Sequence, residues 1–83
     1  MQSFLERRPI SLDTSQPSVR HVQDLIRRKQ PVAILIGGGT ELEGVIRWQD
    51  VYCIGLHPGE DPAADLPLML INREQVAVIR SLT

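Results

Sequence analysis

The stretch ILIGGGTELEGVIRWQD, residues 34–50, decides the fold because its three adjacent glycines admit two interpretations. Glycines can form a loop that cradles a phosphate, or they can form the turn between two strands. A Walker A loop requires G-x-x-x-x-G-K-[ST], whereas Val45 and Ile46 stand at its lysine and hydroxyl positions. A dinucleotide fingerprint requires a helix after the glycines, whereas residues 41–49 alternate with the period of a strand. We therefore predict that the glycines at positions 37–39 supply the positive φ angles of a hairpin turn.

The strand that follows this turn is predicted to present two different faces. One face comprises Leu42, Gly44, Ile46 and Trp48, and the other comprises Glu41, Glu43, Val45, Arg47 and Gln49. Gly44 lies inside the strand, where a glycine often marks a sharp bend or a bulge. We expect such a bend to let one strand serve two sides of a small barrel.

The segment before the glycines predicts one helix. In PSVRHVQDLIRRKQ, residues 17–30, apolar side chains recur at helical spacing at positions 19, 22, 25 and 26. Ser18 is the candidate N-cap, because its hydroxyl can accept a hydrogen bond from an amide of the first turn. Basic residues at 27–29 complement the negative end of the helix dipole, and Pro31 ends the helix by Gln30.

The rest of the chain predicts strands separated by turn residues. The five predicted strands are PVAILI (31–36), TELEGVIRWQ (40–49), YCIGLH (52–57), LPLMLI (66–71) and QVAVIR (75–80). A loop rich in Pro, Gly and Asp separates the third strand from the fourth, and NRE, residues 72–74, forms a tight turn. One helix followed by five closely connected strands predicts a mainly β fold, a strongly bent antiparallel sheet or barrel.

The composition is that of a small globular domain. With 42% hydrophobic and 23% charged residues, the chain of 83 residues is too apolar to be disordered. A domain of this size buries only about 60–65% of its unfolded surface, so self-association is a natural way to enlarge its core. Residues 1–16 lack a sustained period and are predicted to form a flexible leader before a domain at 17–83.

Cysteine and hydrophobic content indicate the compartment. The single cysteine, Cys53, cannot form an internal disulfide, and no Cys or His cluster has the spacing of a zinc site. No apolar run has the length of a signal peptide core or of the roughly 20 residues that span a bilayer. We therefore expect a cytoplasmic protein without membrane insertion, metal or other cofactor.

The net charge of −1 is unevenly distributed along the chain. Residues 20–29 carry four basic side chains and one acidic one, whereas residues 41–65 carry six acidic side chains and one basic one. We therefore expect a basic face and an acidic face. The near-neutral total argues against a protein that binds nucleic acid through a uniformly basic surface.

The helix and the glycine-rich segment together resemble a known family. The helix is followed by PVAILIGGGTELEGVIRWQD, in which four residues separate Gly39 from Gly44 and five separate Gly44 from Asp50. This pattern resembles the first Sm motif, and LMLINREQVAVI occupies the place of the second. The chain is similar to bacterial Sm proteins of the Hfq family, and PSVRHVQDLI with GVIRWQD is similar to the cyanobacterial branch in particular. The resemblance implies a ring, expected to be hexameric, in which the fourth strand of one subunit pairs with the fifth strand of the next.

The resemblance also implies binding residues. Hfq rings bind uridine-rich RNA on the proximal face, which carries the helices, and here Tyr52 matches the stacking aromatic while Arg73 replaces a lysine. The neighbouring family positions differ, since Val51 replaces a polar contact and Glu74 a histidine. On these residues alone, Tyr52 is equally well a barrel residue and Arg73 a turn residue. Asp50 is expected to hold the turn before the third strand rather than to act in catalysis.

Two further faces follow from the same resemblance. The family binds adenine-rich RNA on its distal face, where this chain has Leu35, Glu41 and Glu43 in place of a stacking tyrosine, a lysine and a glutamine. Twelve such acids in a sixfold ring would repel a polyanion, so we expect no adenine-rich binding. The basic rim of the family matches Arg20, Arg27, Arg28 and Lys29. These four side chains either bind a nucleic acid or a protein partner, or merely cap the helix dipole and solvate its outer face.

These residues are compatible with two functions. The first is a ring that binds RNA and regulates gene expression after transcription, with degenerate RNA-contact faces and a retained basic rim. The second is an adaptor ring for a protein, since cyanobacterial relatives are associated with motility through the ATPase that assembles type IV pili. No set of nucleophile, base and orienting acid is recognisable in the sequence, so enzymatic activity is not expected.

Overall fold

The computed structural model describes residues 11–59, 61 and 65–83. The chain forms helix α1 (Pro17–Arg28) and strands β1 (Pro31–Ile36), β2 (Glu41–Gln49), β3 (Cys53–Pro58), β4 (Met69–Asn72) and β5 (Val76–Ser81). A single 3₁₀ turn, Arg73–Gln75, joins β4 to β5. The predicted mainly β fold with an N-terminal helix is confirmed. Residues 1–10 of the predicted leader, and residues 60 and 62–64 of the predicted loop, lie outside the described residues.

All five strands form one antiparallel sheet in the order β4-β3-β2-β1-β5. The hairpin of β1 and β2 thus lies at the centre, and the last two strands of the chain lie at opposite edges. β4 pairs only with β3 and β5 only with β1 within the described part of the protomer. Each edge strand therefore has one unpaired row of backbone amides and carbonyls.

Helix α1 buries one face against the sheet. Val19, Val22 and Leu25 are buried and recur at the predicted helical spacing. The helix starts two residues earlier than expected, because Gln16 is the N-cap and Pro17 is the first helical residue, so the prediction of Ser18 as N-cap is wrong. Proline suits this position because its φ is already helical and its missing N–H needs no partner. The predicted end before Gln30 is confirmed, with Lys29 left-handed at φ 53°.

The core is a single apolar cluster between helix and sheet. It comprises Val22 and Leu25 of the helix with Val32, Ile34, Ile46, Ile54, Leu56 and Ile71 of the strands. Burial of one such side chain contributes about 1.5–3 kcal/mol relative to exposure. Every strand of the sheet except β5 supplies a buried member, and Ile79 and Val76 of β5 pack partly buried against the cluster.

The glycine-rich turn joins β1 to β2, as the sequence predicts. Gly38 and Gly39 adopt φ of +90°, a conformation that side chains rarely reach, whereas Gly37 does not have a positive φ. The turn is closed by the amide of Gly39, which donates to the carbonyl of Ile36 at 3.1 Å. Two of the three glycines therefore supply the turn, and the prediction of a positive φ is wrong for Gly37.

The bulge of β2 lies at Arg47 and not at Gly44, where the sequence predicts a bend or a bulge. The pairing with β3 shifts between Ile46 and Trp48, so Arg47 is an extra residue in β2. After this bulge the faces of the strand are exchanged. The predicted face shared by Ile46 and Trp48 is therefore wrong: Ile46 is opposite buried Leu56, whereas Trp48 is opposite Gly55.

Gly44 instead marks a close approach of two backbones. A Cβ at this position would lie 2.1 Å from the carbonyl oxygen of His57 on β3. No side chain can occupy that space unless the strands separate. The glycine is thus required by β2–β3 packing, three residues before the bulge itself.

Candidate functional site

A turn fixed by hydrogen bonds presents Tyr52 at the start of β3. The carboxylate of Asp50 accepts from the amide of Tyr52 at 2.9 Å and from the amide of Cys53 at 2.7 Å. The amide of Asp50 donates in turn to the carbonyl of Cys53 at 2.9 Å. The backbone around Tyr52 is therefore anchored, while its side chain remains 63% exposed.

Arg73 lies beside this turn. Its amide donates to the carbonyl of Tyr52 at 2.8 Å, which continues the pairing of β3 with β4. Its guanidinium Nη1 donates to Gln49 Oε1 at 3.1 Å and to the carbonyl of Asp50 at 3.4 Å. The fold thus places an exposed aromatic ring and a half-buried cation on adjacent residues of paired segments. We name Tyr52 with Arg73 the aromatic–cation pair.

The residues around this pair differ in exposure. Val51 is half-buried, and Glu74 is exposed on the 3₁₀ turn. The amide of Glu74 donates to Asn72 Oδ1 at 3.0 Å, so the turn is capped by Asn72, the last residue of β4. An exposed carboxylate close to Arg73 in sequence lowers the local positive charge.

Gln49 is a contact that the sequence does not reveal. Its Nε2 donates to the carbonyl of Val19 at 3.2 Å and to Gln23 Oε1 at 2.9 Å, both on α1. Its Oε1 accepts from Arg73. The side chain therefore connects the helix to the aromatic–cation pair. Strand alternation places Gln49 on the wrong face, because the bulge at Arg47 is set by pairing with β3.

The four basic residues of the predicted rim lie in or just after α1, and all four are exposed. We name Arg20, Arg27, Arg28 and Lys29 the basic patch. Asp24 lies among them and binds two of its members: Arg28 Nε at 2.9 Å from Asp24 Oδ2, and Arg27 Nη2 through Oδ1. The hydrogen bond from Arg27, helped by the nearby charge of Arg28, holds the pKa of Asp24 below its usual value. Two arginines of the patch are thus partly neutralised, although their side chains remain 76% and 51% exposed.

An open groove runs along the polar side of α1, close to the basic patch. Its lining includes Arg20 and Arg27 of the patch, His21 and Gln23 between them, and Thr14 from the segment before the helix. The groove is open to solvent rather than enclosed, so an extended chain can pass over the helix beside the basic patch.

The face formed by β2, β1 and β5 carries Glu41 and Glu43, the two acids that were expected on the face away from the helix. Two cross-strand rows share this face: Glu41, Leu35 and Val78 in the first, and Glu43, Ala33 and Arg80 in the second. Arg80 Nη2 lies 3.0 Å from Glu41 Oε1. The expected band of unopposed acids is therefore wrong in part, because Arg80 neutralises one acid of each protomer. The sequence gives no sign of this ion pair, since its members are 39 residues apart.

The described residues contain neither a cluster of metal ligands nor a membrane-spanning helix. Among the described residues, no three His, Cys, Asp or Glu side chains converge to hold a metal ion. Cys53 is a free thiol and half-buried, less enclosed than its apolar sequence context suggests. In the part of the chain that the structure describes, no helix has the length and apolar character needed to cross a membrane.

Comparisons with known proteins agree with this architecture. A family model described as Hfq related matches residues 16–81. The fold is similar to the 1.55 Å crystal structure of the pleiotropic translational regulator Hfq, with a TM-score of 0.69 and 14% identity over 84% of this chain and 97% of that one. It is also similar to the crystal structure of an Hfq protein from Anabaena sp., with a TM-score of 0.64 and 29% identity over 78% of this chain and 95% of that one.

No curated protein sequence matches the chain significantly. The family model nevertheless spans the helix and all five strands of the structure. The two crystal structures have the same arrangement of helix and sheet over nearly their whole length. The chain therefore belongs to the Hfq family of Sm-fold proteins.

Proposed function

We propose that this protein forms a ring that binds single-stranded, uridine-rich RNA and regulates gene expression after transcription. The observation that carries the proposal is the aromatic–cation pair: Tyr52 is 63% exposed on a turn that Asp50 anchors, and Arg73 lies beside it. Bases stack on exposed aromatic rings regardless of sequence, and an arginine fork suits the adjacent phosphate. The proposed role is binding rather than catalysis, as in the rest of the Hfq family.

The ring proposal rests on the two edge strands. β4 and β5 occupy opposite edges of the sheet, so β4 of one protomer can pair with β5 of the next and leave no open edge. Exposed apolar side chains accompany both edges: Leu68, Met69 and Leu70 at β4, and Val78 and Leu82 at β5. Apolar side chains at an unpaired edge favour self-association. Six subunits are expected from the family resemblance.

The basic patch is proposed as a second contact for RNA. Arg20, Arg27, Arg28 and Lys29 against Asp24 leave a net positive charge on the helix side. The groove beside the patch is open, and its lining residue Gln23 contacts Gln49, the hydrogen-bond partner of Arg73. We therefore propose that the RNA strand continues from the aromatic–cation pair towards the groove. Contacts of this kind give a modest affinity that falls as salt rises.

The opposite face is proposed not to bind adenine-rich RNA. Leu35 replaces the stacking aromatic of the family, and the exposed Glu41 and Glu43 bring negative charge. The Glu41–Arg80 ion pair lowers this charge but does not make the face basic. A face without an aromatic platform and without net positive charge has no means to hold a polyanion.

A protein-binding adaptor is the second candidate function. The observation that favours it is this same face, where the half-buried Leu35 and the 47% exposed Val78 lie in one row with Glu41. A surface of apolar and acidic side chains suits a protein better than RNA. By analogy with cyanobacterial Hfq proteins, the partner would be the ATPase that assembles type IV pili, in support of motility. In either role the protein would act in the cytoplasm.

The test is a titration of the purified protein with fluorescent uridine-rich and adenine-rich RNA at low and moderate salt, with its mass measured by light scattering. The proposal expects salt-sensitive uridine-rich binding by an assembly of about six protomers, and no adenine-rich binding. A stable monomer would refute the ring. A ring that binds neither RNA at low salt would favour the adaptor.

A further inference from the structure

The side chain of Gln49 lies at the junction of three segments. Its amide nitrogen donates to the carbonyl of Val19 at 3.2 Å and to Gln23 Oε1 at 2.9 Å, and its amide oxygen accepts from Arg73 Nη1 at 3.1 Å. Both N–H groups and one lone pair of the amide are therefore used. Gln49 itself is half-buried at the end of β2. One side chain thus joins α1, β2 and the 3₁₀ turn.

These contacts fix both the orientation and the type of the residue. Two acceptors on α1 face the nitrogen of Gln49, and a cationic donor, Arg73, faces its oxygen. A flipped amide would place oxygen against two oxygens and N–H against a guanidinium. A glutamate would keep the arginine contact but lose both donors, and an apolar residue would lose all three bonds. Only an amide of this length satisfies both sides.

The same contacts leave one edge of Arg73 available. Both side-chain hydrogen bonds, to Gln49 and to the carbonyl of Asp50, use Nη1. The Nε and Nη2 groups make no hydrogen bond to the described residues. Together these two groups form the edge that donates two parallel bonds to a phosphate or a carboxylate. The backbone bond between Arg73 and Tyr52 holds these two residues side by side on paired segments.

We propose that Gln49 is a positioning residue. It holds the Arg73 guanidinium by Nη1, so that the Nε–Nη2 edge can receive a phosphodiester of an RNA strand whose base stacks on Tyr52. The same amide secures this face to α1, which carries the basic patch. This inference rests on the proposed function, and it adds a residue that neither the sequence pattern nor the family motifs single out.

The test compares four proteins: the wild type, Gln49→Met, Arg73→Gln and the double variant. Methionine preserves the length and volume of Gln49 but removes its hydrogen bonds. Each protein is titrated with a short fluorescent uridine-rich RNA over a range of salt concentrations. We expect each single variant to bind roughly tenfold more weakly, the loss typical of a hydrogen bond to a charged group. We expect the double variant to bind no more weakly than Arg73→Gln.

The salt dependence separates positioning from simple loss of structure. A lost phosphate contact lowers the slope of log affinity against log salt by roughly 0.7 for a single strand. Both Gln49→Met and Arg73→Gln are expected to lower it, whereas a general loosening of the fold would not. Gln23→Met is the matched control, because it removes only one of the two helix-side partners of Gln49 and leaves the Gln49–Arg73 bond. Its affinity is expected to stay near that of the wild type.

A cycle of urea unfolding on the same four proteins gives a readout without RNA. Non-additive losses would show that Gln49 and Arg73 act as one unit. Additive losses of stability would overturn the proposal. It would also be overturned if Gln49→Met bound the RNA with the affinity and the salt dependence of the wild type. If the wild type binds no RNA while the unfolding cycle is non-additive, the proposed function fails, and the proposed effect on RNA affinity fails with it. If the wild type binds RNA, Arg73→Gln weakens that binding and Gln49→Met leaves it unchanged, this inference alone fails.

Discussion

Arg80 on β5 and Glu41 on β2 form an ion pair that reaches across the whole width of β1, with Nη2 and Oε1 3.0 Å apart. The register places Arg80 opposite Ala33, whereas Glu41 is opposite Leu35, so the pair runs diagonally over the central strand. It connects an edge strand to the middle of the sheet. It also removes one of the two acidic charges that each protomer would otherwise present on this face.

We predict a small stabilising effect of this pair. Arg80→Gln should lower the free energy of unfolding by about 0.2–1 kcal/mol, since both side chains are well exposed and exposed pairs contribute little. The loss should disappear at high salt because the interaction is screened. Urea unfolding at low and high salt measures it, and Arg20→Gln, on the helix, is the matched control. A loss that is equally large at high salt would contradict an electrostatic origin.

A second prediction concerns Gly44. Gly44→Ala should lower the free energy of unfolding by about 1–3 kcal/mol, the typical penalty for a group forced into packed structure, because its Cβ would lie 2.1 Å from the His57 carbonyl oxygen. Gly38→Ala is the comparison: nothing lies within 4 Å of its Cβ, and only its φ of +90° opposes the substitution. The expected loss there is about 1 kcal/mol. Gly44→Ala with wild-type stability would show that the strands separate freely.

The sequence predicted what local rules determine. The glycine-rich turn, the apolar spacing of α1 and the approximate extent of four strands follow from residue type and period, and the structure agrees with them. The fourth strand begins at Met69, three residues after its predicted start at Leu66, so that part of the prediction is wrong. The prediction failed where the local structure depends on pairing between segments that are distant in sequence. The bulge at Arg47 depends on the register with β3, and it reverses the faces of Trp48 and Gln49.

The candidate site divides in the same way. Tyr52, Arg73 and Asp50 were predicted through the resemblance to the Hfq family, and the structure brings them together. Gln49 was not found, because its three partners lie on α1 and the 3₁₀ turn, far away in sequence. Asp24 was counted only as one acid in a basic segment. Its helical position three and four residues before two arginines makes it their shared partner.

A third prediction concerns Asp24 and pH. Its folded pKa is lowered from 3.8, so the folded state binds fewer protons there than the unfolded state does. The stabilisation is therefore fully present above the ordinary pKa and is lost as pH falls through the lowered one. Asp24→Asn should remove this part of the acid dependence, measured as helix content by circular dichroism from neutral to acidic pH. An unchanged acid dependence would contradict the assignment.

The same variant tests the basic patch. Asp24→Asn removes the carboxylate that Arg27 and Arg28 share and raises the charge of each protomer by one. If the patch contacts RNA, affinity for uridine-rich RNA should rise severalfold at low salt and become more salt-dependent. Glu41→Gln, on the opposite face, makes the same charge change and is the matched control. Equal gains from both variants would indicate a long-range effect of net charge rather than a contact at the patch.

The last prediction isolates the aromatic ring of Tyr52. Tyr52→Leu should weaken binding of uridine-rich RNA by about 1–3 kcal/mol, the range for loss of one base–aromatic stack. Tyr52→Phe should bind nearly as the wild type does, because stacking needs the ring and not the hydroxyl. Neither variant should unfold at a lower urea concentration, since the side chain is 63% exposed and the turn is held through backbone amides. Fluorescence anisotropy with the same RNA measures the affinities. Equal weakening by leucine and phenylalanine would assign the contact to the hydroxyl, and wild-type binding by Tyr52→Leu would remove this face from the RNA site and leave the basic patch to account for any affinity.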